Sequence, residues 1–234
     1  MSEPLSGQAE RWTAQYRARR GKPVYPTEWV IRTLAGANYP GMKLDRSAYA
    51  GKSILDMSCG DGRNLHLLLD LGFVVHATEI GEDAVGLLRE RFPDVQFAVG
   101  YNHAMPYADN TFDYILSCGA HYYLAPNTTY ADNVREVRRI LRPDGVFVVN
   151  IPDGENSVAR GSVRNAAGEL TVADDPFGIR NGVRWQIADS PEEVHALYGS
   201  AFTQVACTHV HDSYWGLVVS AYIAVCANGA VREG

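Results

Sequence analysis

The chain contains little cysteine, and its cysteines form no pattern. Four are present in 234 residues, at Cys59, Cys118, Cys207 and Cys226, and no C-x-x-C pair occurs. This spacing indicates neither a disulfide framework nor a cysteine-based zinc site, so we expect no metal. Reduced thiols are typical of the cytosol, and we therefore expect a cytoplasmic protein.

Long apolar runs are missing as well. No stretch approaches the roughly 20 apolar residues that a membrane-spanning helix needs. The segment Met1-Ser2-Glu3-Pro4 lacks the basic start and apolar core of a secretory leader. We therefore expect a soluble protein that is not exported and does not contact a membrane.

Positive charge is scarce, and lysine is scarcer still. Only three of the 21 cations are lysine, at Lys22, Lys43 and Lys52, and the other eighteen are arginine. The net charge is −6 and the pI is about 5.6, so the chain has no general basic footprint for a polyanion. Nucleic acid is therefore not expected as a partner.

One glycine-containing stretch, residues 53–65, dominates the first half of the chain. An apolar run ending in Asp56 is followed by Gly60 and Gly62 and then by a new apolar segment. This order predicts a strand, a tight turn and a helix N-terminus, where glycine lets backbone amides approach a ligand. A dinucleotide site would carry a third glycine at position 65, but Leu65 stands there, which disfavours a nicotinamide-dependent oxidoreductase without removing it as an alternative.

Four motifs follow one another along the chain between residues 53 and 150. They are LDMSCGDG at 55–62, Glu79 at the end of a second predicted strand, MPYADNTFD at 105–113 and VRRILRPDG at 137–145. The set resembles the class I S-adenosylmethionine-dependent methyltransferases, whose first motif reads Leu-Asp-x-Gly-Cys-Gly-x-Gly. Ser58 replaces the first glycine of that motif. The resemblance covers the donor-binding half well and the acceptor-binding half poorly.

The resemblance implies an α/β fold, a Rossmann-like, mostly parallel sheet of seven strands flanked by helices, with its last strand antiparallel. It also implies that S-adenosylmethionine is bound, with Glu79 on the ribose hydroxyls, Asn102 at the adenine amine and Tyr101 or Ile80 on the ring face. The full set of expected donor-binding residues is Asp56, Ser58, Cys59, Gly60, Asp61, Asn64, Glu79, Ile80, Tyr101, Asn102 and Cys118.

The hydrophobic pattern predicts alternating helices and strands. We expect helices at residues 8–20, 27–34, 63–71, 82–92, 128–141 and 191–199, and strands at 53–57, 74–79, 95–99, 112–117, 146–151, 203–211 and 217–226. We treat residues 1–234 as one domain. It comprises an N-terminal helical cap (1–45), a donor-binding half (46–152), a substrate insertion after the fifth strand (153–187) and C-terminal closing elements (188–234).

The acceptor is expected to contact the cap, the end of the fourth strand and the insertion. The cap can lie across the ligand mouth with Tyr16 and Tyr25, although it could also simply pack on the sheet. The insertion carries Arg160, Arg164, Arg180 and Arg184, of which Arg180 and Arg184 are favoured as a clamp for an anionic acceptor, with ordinary surface ion pairs as the alternative.

His121 follows the fourth strand, where donor and acceptor meet in related enzymes. It is the best candidate for a general base, with a structural histidine as the alternative, and Tyr122 and Tyr123 beside it are expected to contact the acceptor. The Asn/Asp-Pro-Pro-Tyr/Phe motif of enzymes that methylate exocyclic base amines is absent there. Near the end of the chain, Tyr214 and Trp215 are expected to form a pocket wall, with core aromatics as the alternative. His209 and His211 are expected to be structural, with a metal site as the disfavoured alternative.

Together these features predict transfer of a methyl group from S-adenosylmethionine to an oxygen or nitrogen of a small polar metabolite. If the arginines of the insertion form a clamp, this metabolite is anionic. The alternatives are an inactive donor-binding subunit of the same fold and the nicotinamide-dependent oxidoreductase. The acceptor is the expected small-molecule partner, and the sequence leaves a homodimer open.

Overall fold

We describe residues 5–19, 21–36 and 44–228 from a computed structural model. The helices are α1 (Leu5–Ala18), α2 (Glu28–Leu34), α3 (Leu65–Asp70), α4 (Glu82–Arg91), α5 (Tyr130–Ile140) and α6 (Pro191–Tyr198), with a short 3-10 helix at Arg46–Ala48. The strands are β1 (Ser53–Asp56), β2 (Val74–Glu79), β3 (Gln96–Val99), β4 (Phe112–Ser117), β5 (Tyr123–Leu124), β6 (Leu141–Pro152), β7 (Glu169–Thr171), β8 (Arg184–Gln186), β9 (Gln204–Tyr214) and β10 (Leu217–Ala227). Residues 1–4, 20, 37–43 and 229–234, which belong to the predicted cap and closing segments, lie outside the described residues.

Seven of these strands form one sheet, in the order β3-β2-β1-β4-β6-β10-β9. The pairings from β3 to β6 are parallel, whereas β10 runs antiparallel to both of its neighbours. This confirms the predicted α/β sheet and its antiparallel last strand. Because β1 and β4 are adjacent but β2 and β3 lie on the other side of β1, the strand order reverses beside β1, where open α/β sheets bind ligands.

The register of the central strands brings several loops to one edge. Asp56 at the end of β1 pairs with Ala77 of β2 and with Leu116 of β4. The parallel direction therefore brings the glycine loop, Glu79 and the segment after Ser117 together at the carboxyl edge of the sheet.

Helices cover both faces of the sheet, as buried parallel strands require. Leu55, Phe147 and Tyr198 belong to a core on one face, and Ile54, Leu68 and Leu88 belong to a second core on the other. The helix α5 begins with a capping box, in which the Asp132 carboxylate accepts a hydrogen bond from the Thr129 backbone N–H at 2.9 Å. Its apolar side then packs on the first core through Val134, Val137 and Ile140.

The insertion after β6 is partly regular, which the sequence did not predict. The strands β7 and β8 form a three-stranded antiparallel sheet with β5, in the order β5-β8-β7. The ring of Trp185 in β8 is fully buried against Tyr122 and Tyr123, at ring-centroid distances of 4.8 and 5.4 Å. The insertion is therefore anchored to the segment after β4.

Within the residues described above, no helix combines the length and the apolar character that crossing a membrane would take.

Candidate functional site

A cavity of about 530 Å³ opens at the carboxyl edge of the sheet, between α1, the glycine loop, the segment after β4 and the insertion. Its volume is within the range of small-molecule sites. Ten of the eleven residues expected to bind the donor line it, namely Ser58, Cys59, Gly60, Asp61, Asn64, Glu79, Ile80, Tyr101, Asn102 and Cys118.

The glycine loop has the left-handed backbone that its sequence predicts. Gly60 and Gly62 have φ values of 64° and 75°, and Ser58, which stands where the motif has a glycine, has φ 54°. A serine at this φ costs roughly 1–2 kcal/mol, so the loop keeps the glycine conformation at some expense. A Cβ at Gly62 would lie 2.6 Å from Phe92 Cε2, so this glycine also permits close packing on α4.

Glu79 is buried at the end of β2, and its carboxylate is held by the loop. One oxygen accepts a hydrogen bond from the Gly60 backbone N–H at 2.7 Å, and the other accepts one from the Ile80 N–H at 3.1 Å. The Tyr16 hydroxyl also donates to this carboxylate. Burial raises the pKa of Glu79 above its ordinary value despite these hydrogen bonds.

Asp56 does not line the cavity, and its expected role as a donor contact is corrected. Its side chain is buried below the glycine loop, and neither carboxylate oxygen finds a hydrogen-bond partner in the described part of the chain. Burial, reinforced by the charges of Glu79 and Asp61, raises the pKa of Asp56 to about 8. The residue is therefore mostly protonated at neutral pH.

The amide of Asn102 is fixed by hydrogen bonds from its nitrogen to the backbone oxygens of Ala120 and Tyr123, at 2.8 and 3.2 Å. This fixes the Oδ1 atom as the side-chain acceptor, whose contact with Ser58 Oγ is long, at 3.4 Å. An acceptor oxygen in the cavity lining suits an exocyclic amine.

Asp61 of the glycine loop lies between two arginines. Its carboxylate accepts hydrogen bonds from Arg63 at 2.9 Å and from Arg19 at 3.3 Å. Burial alone would raise the pKa of Asp61, but these two guanidinium groups outweigh it and lower the pKa. Asp61 is therefore ionised and paired.

The helix α1 lies over the cavity. Trp12 and Tyr16 both line it, and the Tyr16 hydroxyl would be 3.4 Å from a Cβ placed on Gly60. Arg17 pairs with Asp83 at 2.8 Å, which fixes the helix to α4. The Trp12 ring contacts the guanidinium of Arg180 at 5.2 Å, which connects the helix to the insertion.

Four of the residues expected to contact the acceptor line the cavity, namely Tyr16, Tyr122, Tyr123 and Arg180. Tyr25 does not, because it lies between prolines in a segment that leaves its side chain 77% exposed. Arg184 does not either, because its guanidinium is bonded to Glu169 and to the backbone oxygens of Ala125 and Thr128.

Tyr214 and Trp215 also lie outside the cavity lining. They stand at the tip of the hairpin between β9 and β10, where Trp215 (φ 46°) and Gly216 (φ 88°) form the turn. Trp215 is fully exposed, so the expectation that these rings form a pocket wall is corrected.

His121 is fully buried and is not among the cavity-lining residues, which corrects its expected role as a general base. Its Nδ1 bonds to the Tyr130 hydroxyl at 2.9 Å, and its ring packs on Phe147 at 5.0 Å. Burial lowers the pKa of His121 to about 4. The residue is therefore a neutral core histidine.

His209 and His211 bond to Asp153 and Glu155, at 2.7 and 3.1 Å.

Several lining residues were missed by the sequence reasoning. Trp12 was visible only as part of an aromatic stripe on α1, and Phe177 only as part of an apolar run in the insertion. Asn150 lines the cavity at the end of β6, where its Oδ1 accepts the Gly119 backbone N–H at 2.7 Å. The only available signal for Asn150 was its place at the end of a strand next to β4.

Comparisons with known proteins agree with this geometry. Residues 55–149 match the family profile described as "Methyltransferase domain". Over this segment the chain is similar to S-adenosylmethionine-dependent methyltransferases.

Two proteins named as methyltransferases are similar to part of the chain. A protein of Mycolicibacterium smegmatis, named as a probable S-adenosylmethionine-dependent methyltransferase, is 30% identical over 44% of this chain and 39% of its own length. The demethylmenaquinone methyltransferase of Renibacterium salmoninarum is 31% identical over 44% of this chain and 42% of its own. The chain thus matches about two fifths of the length of these relatives.

A solved methyltransferase structure shares the fold over nearly the whole chain. The 1,6-didemethyltoxoflavin-N1-methyltransferase of Burkholderia thailandensis, with bound 1,6-didemethyltoxoflavin and S-adenosylhomocysteine, aligns with a TM-score of 0.61. The alignment covers 98% of this chain and 92% of that one at 14% sequence identity, so it supports the fold.

Proposed function

We propose that this chain transfers a methyl group from S-adenosylmethionine to an oxygen or nitrogen of a small polar metabolite. The observation that carries the proposal is the pairing of a buried strand-end carboxylate, Glu79, with the left-handed glycine loop at Gly60. A carboxylate at this position can accept hydrogen bonds from a ribose diol, and the loop leaves space where a Cβ would approach the ligand.

The donor side of the cavity fits the rest of such a molecule. Asn102 offers an acceptor oxygen for an adenine amine, and Tyr101 and Ile80 line the same cavity. When bound, S-adenosylmethionine supplies a methyl carbon on a positively charged sulfur, and the electron pair of the broken carbon–sulfur bond stays on the sulfur of S-adenosylhomocysteine.

This chain's residues then have to align the acceptor and keep water away. Alignment is the principal task, because the methyl carbon is already activated by the positive sulfur. Tyr122 and Tyr123, which follow β4, stand where we propose the acceptor binds, and the helix α1 covers the site through Trp12 and Tyr16. His121 is not proposed as a base.

The acceptor side carries one cation from the insertion, Arg180. We propose that it contributes to acceptor recognition, which favours a polar or anionic acceptor. We also propose that the cap, donor-binding half, insertion and closing elements work as one domain around this cavity.

Titration calorimetry with S-adenosylmethionine, S-adenosylhomocysteine and NADH tests the donor. We expect both sulfur compounds to bind and NADH not to bind, and the reverse result would overturn the proposal in favour of an oxidoreductase. Transfer of labelled methyl groups into a metabolite mixture tests activity. Donor binding with no transfer to any acceptor would instead indicate the inactive donor-binding subunit.

A further inference from the structure

Of the four arginines in the insertion, Arg180 is the one that lines the cavity. Arg164 pairs with Asp189 and Glu193, and Arg184 with Glu169. Arg160 is exposed and donates to the Glu155 backbone oxygen at 3.4 Å. Any charge-specific contact that the insertion makes with a ligand in this cavity therefore involves Arg180.

The guanidinium of Arg180 is held from behind by a buried carboxylate. Its Nη1 lies 3.1 Å from Asp175 Oδ2, and Asp175 is fully buried and does not line the cavity. The Asp175 carboxylate also accepts the backbone N–H groups of Phe177, Ile179 and Arg180, at 2.9 to 3.0 Å. These backbone N–H groups partly neutralise the Asp175 carboxylate. The Arg180–Asp175 pair therefore presents its positive member to the cavity.

Three further contacts fix the orientation of the guanidinium plane. Nε donates to the Tyr123 hydroxyl at 3.0 Å, and the rings of Trp12 and Phe177 lie 5.2 and 5.6 Å from its central carbon. No hydrogen bond of Nη2 to the described residues accompanies these contacts. An oriented guanidinium with a nitrogen to spare matches an acidic oxygen on a ligand.

Aromatic rings surround this guanidinium inside the same cavity. Tyr122 and Tyr123 are stacked, with ring centroids 5.1 Å apart and planes at 26°. Trp12 and Phe177 complete the group, and Phe177 remains 59% exposed although it lines the cavity. A flat aromatic ring packed against these side chains buries its surface and also gains ring–ring interactions, which a saturated ring lacks.

Resting on the proposed methyl transfer, we infer that the acceptor is a planar aromatic compound that carries an acidic oxygen. The ring lies among Tyr122, Tyr123 and Phe177, and the acidic oxygen bonds to Arg180, which Asp175 and Tyr123 hold in position. Arg180 is thus a specificity-determining residue, and Asp175 is a positioning residue behind it.

Calorimetry on the full chain saturated with S-adenosylhomocysteine tests the inference with three matched probes. Benzoate has the ring and the acid, cyclohexanecarboxylate has the acid on a saturated ring, and benzamide has the ring without the charge. We expect benzoate to bind at least tenfold more tightly than either of the others, a difference of about 1.4 kcal/mol in each comparison.

Variants separate the contribution of Arg180 from that of the fold. Arg180→Met should reduce benzoate affinity at least tenfold and leave benzamide and S-adenosylhomocysteine affinity unchanged, whereas Arg160→Met in the same insertion should change none of them. Because Arg180→Met leaves Asp175 buried without its cation, the double variant Asp175→Asn/Arg180→Met removes both charges and should show the same loss.

Each contrary result has a distinct meaning. If benzoate fails to bind at its solubility limit while S-adenosylhomocysteine binds, the acceptor class is wrong and the proposed function stands. Equal affinity for benzoate and cyclohexanecarboxylate overturns the aromatic part, and an unchanged benzoate affinity in both Arg180 variants overturns the anionic part. If neither S-adenosylmethionine nor S-adenosylhomocysteine binds, the proposed function itself fails, and this inference fails with it.

Discussion

The carboxylate of Glu79 accepts a hydrogen bond from the backbone N–H of Gly60 at 2.7 Å, across 19 residues of sequence. The end of β2 thereby fixes the loop that follows β1. Glu79 both shapes the glycine loop and lines the cavity, so its loss would remove the proposed ligand contact and loosen the loop.

Glu79→Gln should weaken binding of S-adenosylhomocysteine about 10- to 100-fold. Hydrogen bonds to a charged group contribute about 1.5–3 kcal/mol, and the amide keeps only one acceptor oxygen for the donors that now converge on the carboxylate. Calorimetry measures the change. Glu82→Gln, an exposed acid of α4 paired with Arg89, serves as the control, and equal affinity in the two variants would remove Glu79 from the donor site.

Gly60→Val should reduce donor affinity at least tenfold. The side chain disfavours the φ of 64° by roughly 1–2 kcal/mol, and its Cβ would stand 3.4 Å from the Tyr16 hydroxyl, on the side of the loop that faces the cavity. The matched control is Gly86→Ala in α4, where a Cβ meets no atom within 4 Å. Gly86→Ala should preserve affinity and raise stability by about 0.5–1 kcal/mol. Undiminished binding by Gly60→Val would place the donor elsewhere.

Asp56→Asn should stabilise the protein increasingly as the pH rises from about 4 to about 8. The pKa of Asp56 is raised to about 8 in the folded state by burial, so between the unfolded and folded pKa values the folded state alone keeps the proton. Wild-type stability therefore loses up to about 1.4 kcal/mol per pH unit from this group, and the loss levels off above pH 8.

Urea unfolding of wild type and Asp56→Asn at pH 4, 6 and 8 measures this effect. The difference between the two proteins should be small at pH 4 and largest at pH 8, while affinity for S-adenosylhomocysteine at neutral pH stays unchanged. A difference independent of pH would show that Asp56 is ionised in the folded protein.

His121→Ala should lower stability without lowering the rate of methyl transfer. Removing the buried ring leaves a cavity beside Phe147 and Tyr130, which costs about 2–5 kcal/mol for large-to-small core changes. The loss should be greater at pH 7 than at pH 4. The pKa of His121 is lowered to about 4 in the folded state, against about 6.5 in the unfolded state, so the wild-type protein itself loses stability as the pH falls from about 6.5 to about 4.

Turnover by His121→Ala, measured with labelled S-adenosylmethionine and any acceptor found, should stay within about threefold of wild type. General acid–base catalysis typically contributes 10²–10⁴-fold. A fall of that size with intact donor affinity would restore His121 as a base.

The sheet and the donor side were predictable because the signals are local. Alternating helical and apolar strand segments gave the seven strands within a few residues, and a buried β2 had to deliver Glu79 to the same edge as Gly60. Even Ser58 kept the positive φ of the glycine it replaces. The sheet edge at which a loop lies depends on strand direction, and the face that a side chain occupies depends on the alternation along the strand. The residue pattern specifies both.

Side-chain direction after β4 was not predictable in the same way. Gly119, at φ 80°, turns the chain, and His121 then points into the core while Tyr122 and Tyr123 line the cavity. The strands β7 and β8 have only three residues each, too few for a periodic signal. Trp215 was expected to form a pocket wall with Tyr214, yet a two-residue hairpin turn exposes it. The cytoplasmic location stays a prediction, and the oligomeric state stays open.

The first helix connects the proposed donor site to the proposed acceptor site. Arg19, the residue that directly follows α1, bonds to Asp61 of the glycine loop, and Trp12 within α1 contacts Arg180 of the insertion. Because Arg19 directly follows the helix that carries Trp12, displacing that helix breaks the two contacts together. Binding linkage is reciprocal. If a bound donor raises the affinity for an acceptor through α1 by some factor, a bound acceptor raises the affinity for the donor by the same factor.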